Sequence, residues 1–350
     1  AIIEYKNVIQ IDPKNAGAHH KLGLALLRTG QLREALSELS KSVELNPDLI
    51  DARIQLGNLY LLSRDNPKAR EQAEKILSKE PNNSSGHLLM SSVYVVEKDL
   101  DKAISEAKKA IEQDPKKIEA YLQLANLYIL KKDSANAEQT LKEAIKADEK
   151  STRARYALAD LYRRTQKMDL AENELVEATR IAPGQAEPWM VLGDFYVSLR
   201  KMEDAEKQYL KGVEVDSKRI PSHLRLGDFY LLWGKKEKAI ETYTKAIDVD
   251  SKSIPARVRL AEMFLSDNQF DKASEHIGKI LEINPKSHEG ILLKGRLLVA
   301  KKEFNEAVNL FQSYLKENPK SSMGHYSLGL AHLGNRDVQQ AKAELAETVK

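Results

Sequence analysis

Four acidic side chains recur at a spacing of 34 residues. They are Asp160, Asp194, Asp228 and Glu262. Carboxylates attract cationic groups, and an arginine stands three residues before two of them, at Arg225 and Arg259. Such a set can hold the basic side chains of a partner, or it can pair internally as a ladder of ion pairs that contributes ~0–1 kcal/mol per exposed pair. The residues alone leave both possibilities open.

Histidine is the other residue type with a chemical role to consider. The chain has eight histidines, at His19, His20, His87, His223, His276, His288, His325 and His332. His325 and His332 stand seven residues apart, which is too far to chelate one ion without a third partner. The sequence contains no glycine-rich phosphate loop, nucleophile elbow or HExxH motif. We therefore expect no enzyme, no metal site and no cofactor.

Composition excludes further classes. Fifty-five basic and 52 acidic residues give a net charge of +3, which argues against a general nucleic-acid or membrane-binding surface. Apolar stretches are short and broken by charges, so we expect no membrane insertion. The chain has no cysteine, which excludes disulfides without fixing the compartment. A cytoplasmic location and a bacterial periplasmic or envelope location are both compatible.

The elements that position these residues follow from two ladders of small residues. One ladder is alanine at every 34th position: Ala35, Ala69, Ala103, Ala137, Ala171, Ala205, Ala239, Ala273, Ala307 and Ala341. The other lies twelve residues earlier in each period: Gly23, Gly57, Ser91, Ala125, Ala159, Gly193, Gly227, Ala261, Gly295 and Gly329. Apolar residues between them are spaced by three and four, which is helical. Each period is therefore predicted to be a hairpin of two helices that cross most closely at the small residues.

One period carries a recognisable pattern. Residues 186–219 contain Trp189, Leu192, Gly193, Tyr196, Ala205 and Tyr209, with Ser217 in place of a proline that most other periods have. This resembles the tetratricopeptide repeat, whose pattern is Trp-x2-Leu-Gly-x2-Tyr, then Ala-x3-Phe, then Pro. The first aromatic is elsewhere His, Arg, Tyr or Ile, so that position looks degenerate. The resemblance implies an all-α, right-handed superhelical solenoid of helix–turn–helix repeats.

The resemblance covers the whole chain, 1–350, as a single array. Residues 1–15 are expected to be the second helix of a preceding repeat, 16–321 nine full repeats, and 322–350 a shortened tenth. The chain starts inside a helix without an initiator methionine and ends in one, so we expect it to be a piece of a longer protein. Segments such as LGLALL, LADLY and AKAEL resemble bacterial envelope tetratricopeptide lipoproteins, including those linked to exopolysaccharide export.

The turns lead to two expectations. Between repeats, six residues are expected to cap the next helix with a side-chain oxygen: Asn15, Asn83, Ser151, Ser253, Ser287 and Ser321. At the turn inside each repeat, only Gly30, Gly234 and Asn268 favour a left-handed backbone, and the other repeats have Arg, Lys or Gln. We therefore expect that this inner turn does not require a left-handed residue in every repeat.

In the family that the chain resembles, partners lie on the concave side, along the first helix of each repeat. The four acids fall there as a stripe, with Arg225 and Arg259 beside them. Earlier repeats have polar Asn58 and Asn126 at the same level, and apolar groove positions at Leu61, Leu62, Leu88, Val95, Leu122 and Ile129. Some of these apolar residues are expected to pack between first helices, and the rest to form an apolar trough.

We therefore expect a scaffold that holds a protein or peptide segment with apolar anchors and some basic residues, and so assembles a multiprotein complex. The family's carboxylate-gripping clamp does not fit, because the fifth position of the first helix, where that clamp needs a lysine, is mostly apolar here. Two alternatives stay open. One is a regulatory segment of a larger enzyme or of an export or secretion machine. The other is a self-assembling array joined through Ile2, Ile3, Tyr5 and Val8 at one end and Leu328, Leu333 and Leu345 at the other.

Overall fold

The computed structural model describes residues 1–348, and this range is built of α-helices without a β-strand. The helices form two compact units, Ala1–Ala182 and Pro183–Lys350. The first unit contains α1 (Ile2–Ile11), α2 (Ala16–Arg28), α3 (Leu32–Leu45), α4 (Ile50–Leu62), α5 (Asn66–Lys79), α6 (Ser84–Val96), α7 (Leu100–Gln113), α8 (Ile118–Leu130), α9 (Ser134–Ala147), α10 (Thr152–Arg164) and α11 (Met168–Ile181).

The second unit repeats the same alternation. It contains α12 (Ala186–Ser198), α13 (Met202–Val215), α14 (Ile220–Leu232), α15 (Lys236–Val249), α16 (Ile254–Ser266), α17 (Phe270–Ile283), α18 (His288–Ala300), α19 (Phe304–Glu317), α20 (Ser322–Gly334) and α21 (Val338–Glu347). Even-numbered helices are the first helices of repeats and odd-numbered helices the second. The predicted all-α fold of helical hairpins is confirmed. That the whole chain forms one array stays a prediction.

The two helices of a hairpin cross at the small residues. All ten alanines of the first ladder have no exposed surface. In the pair α6–α7, the Ser91 hydroxyl donates to the Ala103 carbonyl over 2.8 Å, which directly joins the two ladders. In the pair α2–α3, a Cβ built on Gly23 would lie 2.7 Å from Leu39 Cγ, closer than atoms tolerate. The close-crossing prediction is confirmed, and the sterics explain why only small residues occur there.

The caps between repeats mostly follow the prediction. Five of the six side chains accept a hydrogen bond from the third backbone N–H of the following helix: those of Asn15, Asn83, Ser151, Ser287 and Ser321. The prediction for Ser253 is wrong, since its buried hydroxyl makes no cap bond. Pro255 stands in that first turn and removes the second N–H, whereas the third N–H, which the other five caps use, belongs to Ala256, so the structure does not explain the missing cap bond.

The expectation for the inner turn is wrong. Ten equivalent residues have a positive φ: Gly30, Arg64, Lys98, Lys132, Gln166, Arg200, Gly234, Asn268, Lys302 and Arg336. The reason is the hydrogen bonding that ends each first helix. After α8, the Lys132 N–H donates to the Ile129 carbonyl and the Asp133 N–H to the Tyr128 carbonyl. This Schellman arrangement requires a left-handed residue at its centre, whatever its side chain.

The residues proposed for end-to-end assembly differ in exposure. Ile3 and Val8 are exposed, while Ile2 and Tyr5 pack against the core of the first hairpin. In the second unit Leu333 is exposed and Leu345 half-buried. Leu328 is 2 % exposed, so placing it on an open edge was wrong, because it fills the core position beside a ladder glycine. Self-association stays a prediction.

Membrane insertion finds no support in the helices of residues 1–348. None of them combines the length and the apolar character that crossing a bilayer requires.

Candidate partner-binding site

The first unit carries a row of three exposed apolar side chains on neighbouring first helices. Leu62, Val96 and Leu130 are the last residues of α4, α6 and α8. Their exposed fractions are 64 %, 43 % and 59 %. Helix α6 contacts both α4 and α8, so the three side chains belong to adjacent elements of one surface. We call them the apolar row.

The other apolar candidates form the floor beside this row. Leu61 packs against the cluster that contains Leu89, and Val95 against the cluster around Ile104. Leu122 packs against the cluster around Ile118.

Leu61, Leu88, Val95, Leu122 and Ile129 are all half-buried. Helix packing therefore takes up much of the surface of these five residues, as expected for some of them. Among the apolar residues of the predicted groove, the freely exposed surface is therefore concentrated in the apolar row.

Polar side chains adjoin the apolar floor. Asn58 and Asn126 are exposed. On the same helix as Asn126, the Gln123 side-chain amide donates to the Leu88 carbonyl over 3.0 Å and to the Ser92 hydroxyl over 3.1 Å, tying α8 to α6. The two exposed amides can donate to and accept from the backbone of an incoming peptide.

Asp160, the acid of the predicted stripe that lies in the first unit, is paired within its own helix. Arg163 contacts it at 2.7 Å and Arg164 at 2.6 Å. Partial burial opposes ionisation of this carboxyl, but the hydrogen bonds from the two arginines outweigh it and lower the pKa of Asp160. Its charge is already compensated by the chain itself.

Asp194 and Asp228, in the second unit, share a more elaborate arrangement. Arg259 Nε donates to Asp228 over 2.8 Å from the first helix of the next repeat, and the Tyr243 hydroxyl donates over 2.6 Å from the second helix of the same repeat. Arg225 Nε and the Tyr209 hydroxyl donate the equivalent hydrogen bonds to Asp194. The hydrogen bond to Asp228 raises the pKa of Arg259.

The fourth acid, Glu262, completes the pairing within the second unit. Its carboxylate lies 3.9 Å from Arg259 and 3.7 Å from Arg296. The internal ion pairs that the sequence allowed are therefore present. A role of the acids in holding a partner stays a prediction, and their side chains remain 38–47 % exposed.

A recurrent contact that the sequence pattern did not reveal occupies the position that looked degenerate. In eight repeats the fourth residue of the first helix donates an N–H or O–H to the backbone carbonyl six residues earlier. The pairs are His19–Pro13, Arg53–Pro47, His87–Pro81, Tyr121–Pro115, Trp189–Pro183, His223–Ser217, Arg257–Ser251 and His325–Pro319. We call this contact the clasp. The signal was available, because each of these residue types carries a donor far from its backbone.

Three histidine clasps are extended by a glutamate. The Nδ1 atoms of His19, His87 and His325 each lie 2.6 Å from a carboxylate oxygen, that of Glu38, Glu106 and Glu344 respectively. Both nitrogens of each ring thus face acceptors, and only a doubly protonated imidazole donates to both. At His325 the hydrogen bonds to Glu344 and to the Pro319 carbonyl raise the pKa. These histidines fasten helices.

Across the described chain, no group of three or more acidic or histidine side chains is placed to hold a metal ion.

The second unit differs from the first at the level of the apolar row. The equivalent residues are Ser198, Leu232, Ser266, Ala300 and Gly334, so Leu232, 65 % exposed, has no large apolar neighbour in the row. A pocket of about 270 Å³ opens beside Ser266 and Ala300. It is lined by Arg296 and by apolar side chains.

Comparison with solved structures finds similar helical repeat proteins. A thermophilic TPR protein of Thermus thermophilus, TTC0263, is 23% identical, with 52% of this chain and 99% of that chain covered and a TM-score of 0.46. Yeast Tom70 is 15% identical, with 96% and 92% covered and a TM-score of 0.42. The MamA protein is 23% identical, with 48% and 92% covered and a TM-score of 0.36. No curated protein matches the chain.

Family models match along most of the sequence. A model described as tetratricopeptide repeat matches residues 29–93, 96–161 and 130–191. A second model with that description matches residues 186–219 and 220–253. A third matches residues 292–349. A model described as TPR repeat matches 1–30. The periodic ladders, the helical hairpins and these matches agree, and the chain belongs to the tetratricopeptide repeat family.

Proposed function

We propose that the chain is a non-catalytic scaffold whose first unit holds an extended peptide segment of a partner protein along the apolar row. The observation that carries this is the exposure of Leu62, Val96 and Leu130 at one repeat position on three adjacent helices. Exposed apolar side chains grouped in this way mark interaction sites. Family membership supports the scaffold, and the exposed row supports its location.

The spacing of the row favours one peptide conformation. Packed helices lie about 8–10 Å apart, which sets the distance between successive members of the row. A polyproline II segment rises about 3.1 Å per residue with three residues per turn, so every third side chain returns to one face after about 9 Å. An apolar residue at every third position therefore matches the row. The unpaired backbone of such a segment can bond to the amides of Asn58 and Asn126.

The acidic residues add less support. Basic residues of the partner would have to compete with Arg163 and Arg164 for Asp160, or with Arg225 and Arg259 for the acids of the second unit. We include them in the proposal as a secondary contact that steers a basic segment. Assembly of a multiprotein complex through both contacts is part of the proposal.

Fluorescence anisotropy with synthetic peptides tests the main contact. One peptide carries leucine at every third residue with proline and polar residues between, and its control has the same composition in scrambled order. We expect the ordered peptide to bind at least tenfold more tightly, equivalent to about 1.4 kcal/mol. The triple variant Leu62→Ser, Val96→Ser, Leu130→Ser should abolish this preference without changing the melting temperature.

Leu232→Ser provides the matched control, because Leu232 is equally exposed at the same repeat position of the second unit. It should leave peptide affinity unchanged. Equal affinity for ordered and scrambled peptides would remove the proposed site. Stronger binding of a peptide with leucine at every seventh residue would replace the extended ligand by a helical one.

A further inference from the structure

One repeat of the second unit lacks the clasp. At the clasp position of residues 288–321 stands Ile291, which has no side-chain donor. Nineteen residues later, where Glu38, Gln72, Glu106 or Glu344 accepts from the clasp in four other repeats, this repeat has Leu310. No residue of the described chain donates a hydrogen bond to the Pro285 carbonyl, the atom that a clasp would engage.

The missing clasp leaves a cavity. A space of about 540 Å³ opens here, lined by Pro285, Ile291, Leu310 and Tyr314 and bordered by Glu317. Tyr314 is fixed by contacts of its hydroxyl with His288 Nδ1 at 3.1 Å and with the Ser321 hydroxyl at 3.3 Å. The cavity therefore combines an apolar wall with an unengaged backbone carbonyl.

The chain shows what fills this space elsewhere. In residues 50–83 the clasp is Arg53, which is 8 % exposed. Its Nε donates to the Pro47 carbonyl over 2.6 Å, and its Nη1 to Gln72 Oε1 over 2.9 Å. Arg257 engages the Ser251 carbonyl through Nε and Nη2. A guanidinium thus fits the site without a carboxylate partner at the position equivalent to Leu310.

We propose that the cavity at Ile291 binds an arginine side chain of a partner protein. The guanidinium donates to the Pro285 carbonyl, as Arg53 does to Pro47, and the aliphatic stem packs on Ile291 and Leu310. Glu317 supplies a complementary charge. Its present partner, Lys286, lies 3.8 Å away, and both side chains are largely exposed, so the pair is readily exchanged. This site is separate from the apolar row and does not depend on it.

Arginine suits the site better than the alternatives for two reasons. Its long stem and planar head fill more of the cavity than an imidazole, and its several N–H groups reach the carbonyl from more than one approach. A lysine ammonium is more strongly hydrated and loses more on entering an apolar wall. His288, the nearest other basic group beside Lys286, bonds to Tyr314 on the cavity lining.

NMR of methyl-labelled isoleucine and leucine tests the proposal, with N-acetyl-L-arginine amide as the probe. We expect the methyl signals of Ile291 and Leu310 to shift and to saturate at millimolar probe. N-acetyl-L-norleucine amide has a similar stem and no guanidinium, so it should cause shifts at least fivefold smaller. Ile54, which lies beside the occupied clasp of Arg53 in sequence, should not respond.

Two variants complete the test. Ile291→Arg places the chain's own guanidinium in the cavity and should abolish the shift of Leu310 while keeping the fold, since Arg53 and Arg257 occupy the same position elsewhere. Ile291→Val keeps the cavity and should keep binding. The proposal is overturned by an unshifted Ile291 at 50 mM probe (about 50-fold above a millimolar dissociation constant), by equal shifts with norleucine, or by unchanged binding to Ile291→Arg.

Discussion

His325 bonds through both ring nitrogens, to a glutamate on one side and a backbone carbonyl on the other. The folded chain therefore stabilises the protonated imidazole more than the unfolded chain does, and the pKa of His325 is raised. The negative charges of Glu344, the hydrogen-bond partner, and of nearby Glu347 also raise the pKa of His325. The ring fastens α20 to α21, so its protonation is coupled to the stability of that hairpin.

A pH dependence follows from the direction of this shift. A raised folded pKa gives a contribution to stability that is fully present below the ordinary value of 6.5 and is lost as the pH rises through the folded pKa. We expect hydrogen exchange in α20 and α21 to accelerate as the pH rises above 6.5 and through the folded pKa, beyond the intrinsic effect of pH. The imidazole signal of His325 should titrate above 6.5, and Glu344→Gln should bring it down. Titration at or below 6.5 would contradict this.

At the residue scale, the sequence indicated the ion pairs of the acidic residues better than their other hydrogen-bond donors. Pairing of Arg225 and Arg259 with neighbouring acids was one of the two possibilities that the sequence left open, and it is present. The hydroxyls of Tyr209 and Tyr243 on the same carboxylates were not. Each tyrosine follows its acid by fifteen residues, a separation that brings residues together only after the hairpin has packed.

At the scale of secondary-structure elements, the inner turns show most clearly that backbone conformation cannot be inferred from residue type alone. Helical periodicity predicted every hairpin, because the ladders and apolar spacing act over whole repeats. Turn conformation was inferred from glycine and asparagine alone, whereas the Schellman hydrogen bonds impose a positive φ on lysine, arginine and glutamine as well. A left-handed residue other than glycine costs roughly 1–2 kcal/mol, and helix packing on both sides of the turn offsets this.

Opposite substitutions at two of these turns test that explanation. Lys132 and Gly234 have φ of 60° and 74°. Lys132→Gly should stabilise the chain by up to about 1 kcal/mol, because the relief of Cβ strain outweighs the chain entropy that glycine adds to the unfolded state. Gly234→Ala should destabilise it by a similar amount. Urea unfolding of both variants measures the two effects, and a shared sign would contradict the explanation.

Across the whole molecule, contacts concentrate between neighbouring helices, so energetic effects are expected to stay local. Over-packing a single crossing should therefore weaken one unit more than the other. This also explains how much of the candidate site could be predicted. The level of the apolar row follows from the repeat, but the exposure of Leu62 and the burial of Leu89 depend on side chains from adjacent repeats.

Ala239→Leu tests this locality. Ala239 has no exposed surface at the crossing of α14 and α15, so added methyl groups should cost about 1–3 kcal/mol. Hydrogen exchange read by mass spectrometry should show faster exchange in α14, α15 and their neighbours, with residues 1–182 nearly unchanged. Ala137→Leu is the matched variant in the first unit and should give the converse map. Uniform acceleration through the chain would contradict nearest-neighbour energetics.

The clasps also determine which loops of the chain tolerate inserted residues. Each clasp fastens the loop before a repeat to the helix that follows, so inserting residues into that loop breaks a side-chain bond as well as the local turn. The loop at 284–287 has no such bond to lose. It is consequently a suitable place to splice in a tag, a fluorophore or a second domain, and a protease given time should cut there before it cuts the loop ahead of Arg53.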